Sequence, residues 1–226
     1  MITSAALTRA AGAAAVLAGT IFIGVQIGHP HVDVTSITTT EVAVRNTFKV
    51  LMATLALAGI TGMYLRQVKQ AGVLGLVGYL LLSVGYLMIV ATSVISAYVL
   101  PSIAGTDPDY VRDVLALFTG DAPTGDVGVL QQVHQVQDVG YLLGGLVLGV
   151  AMFRARVLAR WASALLAVGG VVTVALAVMP DAFYRLLAFP NGIAMIALGY
   201  SLWRSARRDA TVPAASARPT VRTAGA

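Results

Sequence analysis

The densest run of proton-handling and polar side chains is Gln131-Gln-Val-His134-Gln-Val-Gln-Asp138. An imidazole and a carboxylate four residues apart share one helix face, where they can orient each other, pass a proton or offer two ligands to a metal. Gln131 lies on the same face, and Gln132 and Gln135 share another. The other two histidines flank a proline in His29-Pro-His-Val-Asp33. In extended chain that spacing projects alternate side chains to one side. His29, His31, His134 and Asp138 therefore form an imidazole–carboxylate set suited to zinc or copper. A His-Pro pair at a helix exit is also ordinary interfacial chemistry, so both readings stand. Further polar groups fall at matching depth in other segments: Gln26, Arg45 and Lys49 four apart, and Asn191 within Pro190-Asn-Gly192, where proline frees backbone carbonyls. The reading of the sequence is a small outward-facing polar pocket walled by Gln26, Lys49, Gln131, His134, Gln135, Asp138 and Asn191. Lys49 and Asp138 are expected to pair, because each alone costs more in a membrane than the pair does. The other reading is a hydrogen-bonded plug and ion pair that fix helix register.

Other chemistry is excluded by what the sequence lacks. There are no cysteines, so disulfides, thiolate metal sites and cysteine catalysis are out. No P-loop, HExxH or GxSxG pattern occurs. A b-type haem needs paired histidines within spans, and only His134 is near one. No catalytic residue is assigned and no cofactor is expected.

The elements that must hold these residues follow from composition. Of 226 residues, 58% are hydrophobic and 11% charged. A soluble domain carries about 25% charged residues, so this chain could not cover its own surface in water. A cytosolic enzyme, a disordered regulator and a nucleic-acid-binding domain are excluded, and a multi-pass membrane protein remains. Six apolar runs reach the roughly 20 residues that a spanning helix needs: about 10–28, 46–65, 73–100, 134–153, 161–179 and 184–203. The fold class is all-α, a six-transmembrane-helix bundle. With the N-terminus in the cytoplasm, the inner segments hold eleven Lys and Arg against four in the outer half. That bias sets both termini inside, in a bacterial plasma membrane. The excess base is then a topology signal, and no nucleic-acid partner is needed to explain it; the partner is the lipid bilayer.

Asp107-Pro108 reads as an N-cap followed by proline at the first helical position, and Gly120 as a stop. The segment between, about 108–119, is predicted to be a short amphipathic helix on the outer surface or capping the bundle. Gly140/Gly144 and Gly145/Gly149 are small-xxx-small pairs suited to close helix packing within the bundle or to a dimer face. Residues 1–208 are the membrane domain, and 209–226, small, polar and proline-punctuated, a disordered cytoplasmic tail. Odd spans open on Arg9, Lys69 and Arg160 and close on Pro30, Pro101 and Pro180. Even spans end on an aromatic beside an arginine. Duplication of three hairpins and convergent boundary chemistry both produce this pseudo-repeat.

Thr8-Arg-Ala-Ala-Gly12, Gly28-His-Pro30, Ala58-Gly-Ile-Thr-Gly-Met-Tyr-Leu-Arg66 and Phe153-Arg-Ala-Arg-Val-Leu-Ala-Arg-Trp-Ala162 resemble boundary motifs of six-helix membrane proteins of high-GC actinobacteria whose function is unknown. Over residues 1–205 the resemblance implies the six-helix plan and a plasma-membrane location. It brings no ligand or activity. The functional expectation is a non-enzymatic membrane protein that binds or transports a small polar ligand. The alternatives are a structural or regulatory subunit without a ligand, and a metal-dependent membrane enzyme using His134 and Asp138.

Overall fold

The computed structural model of the chain describes residues 3–28, 32–176 and 188–211, and the described residues are helical apart from turns and short loops. Helix α1 (Ser4–Gly24) opens on Thr3, whose hydroxyl oxygen accepts from the Ala6 N–H at 3.2 Å. Helix α2 (Thr40–Arg66) has Glu41 in its first turn and Arg66 in its last, the polarity its dipole favours. Helix α3 (Val68–Ile103) contains Gly72 at φ +56°, a conformation open to glycine that bends the helix one turn after its start. Helix α4 (Pro108–Thr119) is capped by Asp107, which accepts from the Tyr110 N–H at 3.1 Å, and stops at Gly120 with φ +90°. Helices α5 (Leu130–Ala155), α6 (Arg160–Leu176) and α7 (Ala188–Thr211) complete the set. Four of these, α1, α2, α3 and α5, are long and apolar enough to cross a membrane.

Two expectations about breaks are corrected. Pro101 does not end the third long helix, which runs on to Ile103. Proline cannot donate to the carbonyl four residues back, and the backbone adjusts with a π turn over Ile95–Val99, in which the Leu100 N–H reaches the Ile95 carbonyl. Nor is α7 interrupted at Pro190-Asn-Gly192, which is helical. The missing Cβ of Gly192 serves packing instead: one built there would stand 3.0 Å from the Gly19 carbonyl oxygen of α1. The expectations for His29, Pro30, His31 and Pro180, and for the chain after Thr211, lie outside the described residues. Helix α7 itself continues to Thr211, past the expected end of the membrane domain at 208.

The six longer helices close a ring. Each packs on its neighbour in the order α1, α2, α3, α5, α6, α7, and α7 packs back on α1. Glycine lets the backbones meet, as helix association in lipid requires. A Cβ on Gly12 would sit 2.7 Å from the Gly199 carbonyl oxygen, joining α1 to α7. On α5, Gly140 faces Gly85 and Leu81 of α3, Gly144 faces Leu82, and Gly149 faces Ala167 of α6. These glycines are spent inside the ring, which leaves them no part in a dimer face.

The ring holds one core, with Ile60, Met63, Leu148, Met152, Leu198 and Leu202 fully buried. A second, separate core sits at the end where α2 begins. There Ile37, Val42, Leu100, Val111, Val114 and Val127 gather under α4. We call this the capped end. The opposite, basic end carries Arg9, Arg66, Lys69, Arg154, Arg156, Arg160, Arg204, Arg207 and Arg208. The expected amphipathic helix therefore forms with the bounds read from the sequence, and it caps the bundle with a core of its own.

Candidate functional site

The capped end begins with how it satisfies its charges. Arg45 donates to the Val25, Ile27 and Gly28 carbonyls at 3.3, 3.1 and 2.9 Å and to Glu41 Oε1 at 3.1 Å. It thus caps the carbonyls left over at the end of α1 and ties α1 to α2. Asp113 of α4 is buried, and it accepts from the Thr124 N–H at 2.7 Å, the Thr124 hydroxyl at 2.8 Å and the Gly125 N–H at 3.0 Å. Those bonds, the Thr124 N–H first, hold its carboxyl below the usual carboxylate range. Asp33 accepts from the Ser36 and Thr35 N–H groups and the Thr35 hydroxyl. The Ser36 bond leads in drawing its pKa down to about 2.

Beneath the cap, the residues read as one pocket occupy four separate places. His134 and Asp138 form a rim pair, Nε2 to Oδ2 at 3.5 Å. The imidazole is 14% exposed and packs on Phe118 of α4, ring centroids 5.5 Å apart, with its Nδ1 buried and without a partner. The Asp138 side chain is 62% exposed, so it does not wall an interior pocket as expected. Gln131 is exposed as well. Gln135 lines an open apolar groove between α3 and α5 with Leu80, Val84 and Val139, and so faces away from the ring's centre. Gln26 is half-buried in the turn after α1, between the carbonyls that Arg45 holds.

Only Lys49 and Asn191 belong to the interior. The buried positions of α2 include Val42, Asn46, Ala53, Ala56, Ile60 and Met63, an alternating four-and-three spacing that leaves one step vacant between Asn46 and Ala53. Lys49 fills that step and is half-buried. The expected ion pair with Asp138 is absent: Asp138 faces His134, and Lys49 has no hydrogen-bond or ion-pair partner among the described residues. The reason is register. Asp138 shares the face of Gly145 and Gly149, which meets α6, whereas Lys49 falls on the inner seam of α2.

One turn below Lys49, Met52 lines a small internal cavity with Asn191, Tyr86, Tyr141, Phe22 and Met195. Its volume of about 10 Å³ is near the roughly 10–15 Å³ that one water needs. Asn191 is 6% exposed and lies against Gly169 where any Cβ would collide. Asn46, also 6% exposed, and Asn191 make no side-chain hydrogen bond among the described residues. Sequence reading missed Asn46 and the bond from the Thr92 hydroxyl to Gln137 Oε1 at 2.7 Å, which joins α3 to α5. The spacing from Val42 to Met63 was the available signal for Asn46 and for the inward aim of Lys49. Toward the basic end the fully buried aliphatic core closes the ring, with the Gln67 amide sealed behind it and without a partner.

Among the described residues no three His, Asp or Glu side chains gather as metal ligands. His134 and Asp138 offer two groups on one helix, and His29 and His31 lie outside the described residues. No protein family, no curated protein and no solved structure matches this chain.

Proposed function

We propose that the chain is a six-span plasma-membrane protein, both termini cytoplasmic, that binds a small polar ligand entering from the capped, outer side. The long apolar helices α1, α2, α3 and α5 support four spans, and α6 and α7, packed between α5 and α1, supply the fifth and sixth. The basic residues clustered at one end favour that end as cytoplasmic.

The observation that carries the ligand reading is Lys49. It occupies an inward step of α2, with Asn46 one turn above and the Asn191 cavity one turn below, and nothing in the described interior answers its charge. An ammonium group in a span costs about 3 kcal/mol on insertion scales, so an uncompensated one marks a candidate functional site. The fully buried aliphatic core closes the ring toward the basic end, which favours approach from the capped end.

Thermal unfolding of the purified full chain in neutral detergent, screened against small polar compounds, tests this reading. A saturable stabilisation that Lys49→Met abolishes supports it. No stabilisation by any compound leaves a structural or regulatory subunit. Topology is read separately in the cysteine-free chain. An impermeant maleimide should label Thr106→Cys in intact cells and leave Lys69→Cys unlabelled until lysis.

A further inference from the structure

We infer that the group recognised at Lys49 is a small anion, either a halide or the carboxylate end of a small organic acid. This rests on the ligand reading above and narrows it to one charge class.

The argument is one of which donors remain. Among the described residues, most other charged and hydroxylic groups around the outer half of the ring are already used. The Arg45 guanidinium is taken up by Glu41 and three carbonyls. The Thr92 hydroxyl donates to Gln137, and the Ser96 hydroxyl to the Thr92 carbonyl. The Thr47 hydroxyl shares a bond with the Tyr98 hydroxyl at 2.8 Å. Asp138 stands at the rim with His134, its carboxylate 62% exposed. Among the described residues, what is left on the inner seam of α2 is the Lys49 ammonium, with three donors and no acceptor, and the Asn46 amide beside it. A cation meets uncompensated positive charge there. A neutral solute finds one amide and an ammonium that still lacks a counter-charge. An anion alone satisfies both groups and cancels the charge in a low-dielectric setting.

Size follows from the packing. The seam around Lys49 continues into Met52, Ala53 and Ala56, and the nearest internal space holds about one water. A space of that size excludes a bulky polyanion.

The experiment uses the full chain in neutral detergent at constant ionic strength, with gluconate as the bulky reference anion. Chloride, formate and acetate are titrated in turn, and thermal unfolding is read. A saturable rise with the small anions supports the inference, provided Lys49→Met weakens the apparent affinity by roughly ten- to a hundredfold, as loss of a charged hydrogen bond implies. Asp138→Asn should keep the response. If Lys49→Met gives no folded protein, chloride NMR line broadening on the wild-type chain, reversed by formate, reads the same site, and its absence overturns the inference. Stabilisation by neutral polar compounds but not by anions overturns the anion class and leaves the ligand reading standing. No response to either overturns both. An equal response in Lys49→Met marks an adventitious ion only. Vesicles of phosphatidylglycerol against phosphatidylcholine form the last arm. A shift only with the anionic lipid assigns the charge to a headgroup and overturns the small-ion reading.

Discussion

The cap and the ring beneath it treat polar groups in opposite ways. In the cap, Asp33, Asp107 and Asp113 each accept from backbone N–H groups, and Asp113 alone fixes the turn at Thr124 and Gly125 through three bonds. Arg45 is shared among four oxygens. In the ring, cohesion comes from backbone contact at glycine, and the interior leaves Asn46, Lys49 and Asn191 without side-chain partners among the described residues. The contrast separates structural charge from available charge. A carboxylate with three donors is holding a loop, whereas an inward ammonium with none is free to hold something else.

The comparison breaks most severely at the ring's glycines. Gly144→Val drives a branched side chain into the Leu82 backbone, and overpacking of that kind costs about 3 kcal/mol or more. Loss of the monodisperse folded peak in size-exclusion chromatography is the expected result. A variant that unfolds at the wild-type temperature would show that α3 and α5 are not held by backbone contact.

Asp113→Asn comes next, and it tests the cap alone. The variant keeps the shape but loses the charge that three donors address, so the turn at 121–128 should become sensitive to protease while the ring stays folded. The same bonds predict a pH response with a defined sign. The folded-state pKa values of Asp113 and Asp33 lie below their unfolded values, so their contribution is complete above about pH 4. It is lost as the pH falls, for Asp33 through about 2. Cap protection should decline on acidification in the wild-type chain and decline less in Asp113→Asn.

Lys49→Met should move stability the other way. In anion-poor buffer it removes an unanswered charge and keeps the length of the side chain, so unfolding should shift upward, by about 1 kcal/mol. A loss of about 2 kcal/mol or more, the worth of a hydrogen bond to a charged group, would show that Lys49 has a structural partner and would dissolve the contrast. The smallest effect is expected at Asp138→Asn, where an exposed pair with His134 is worth no more than about 0.5 kcal/mol.

Much of this architecture is legible in the residue order. Asp107-Pro108 and Gly120 delimit α4 because capping depends on a few adjacent residues. The small-xxx-small spacing of Gly140, Gly144 and Gly149 announces close packing for the same local reason. Pro101 misleads because a π turn can carry a helix past proline when the following turn is anchored in a second core, as Leu100 is. The supposed pocket misleads for a different reason. Depth along a helix can be counted from the sequence, but the direction a side chain faces depends on which helix lies beside it. Counting from the span ends puts Lys49 and Asp138 level, but they lie on faces that meet different neighbours.

Composition and the placement of arginine alone fix that the chain is a helical, membrane-suited protein with one basic end. Hydropathy and helix length are properties of each segment and need no partner. Which polar groups meet is settled by the ring order, α3 on α5 and α7 back on α1, and that order brings together residues far apart in the chain. The burial of Asn191 against α6 and the vacant side of Lys49 exist only after the ring closes, because a partner is an attribute of the space between helices and no single helix contains it.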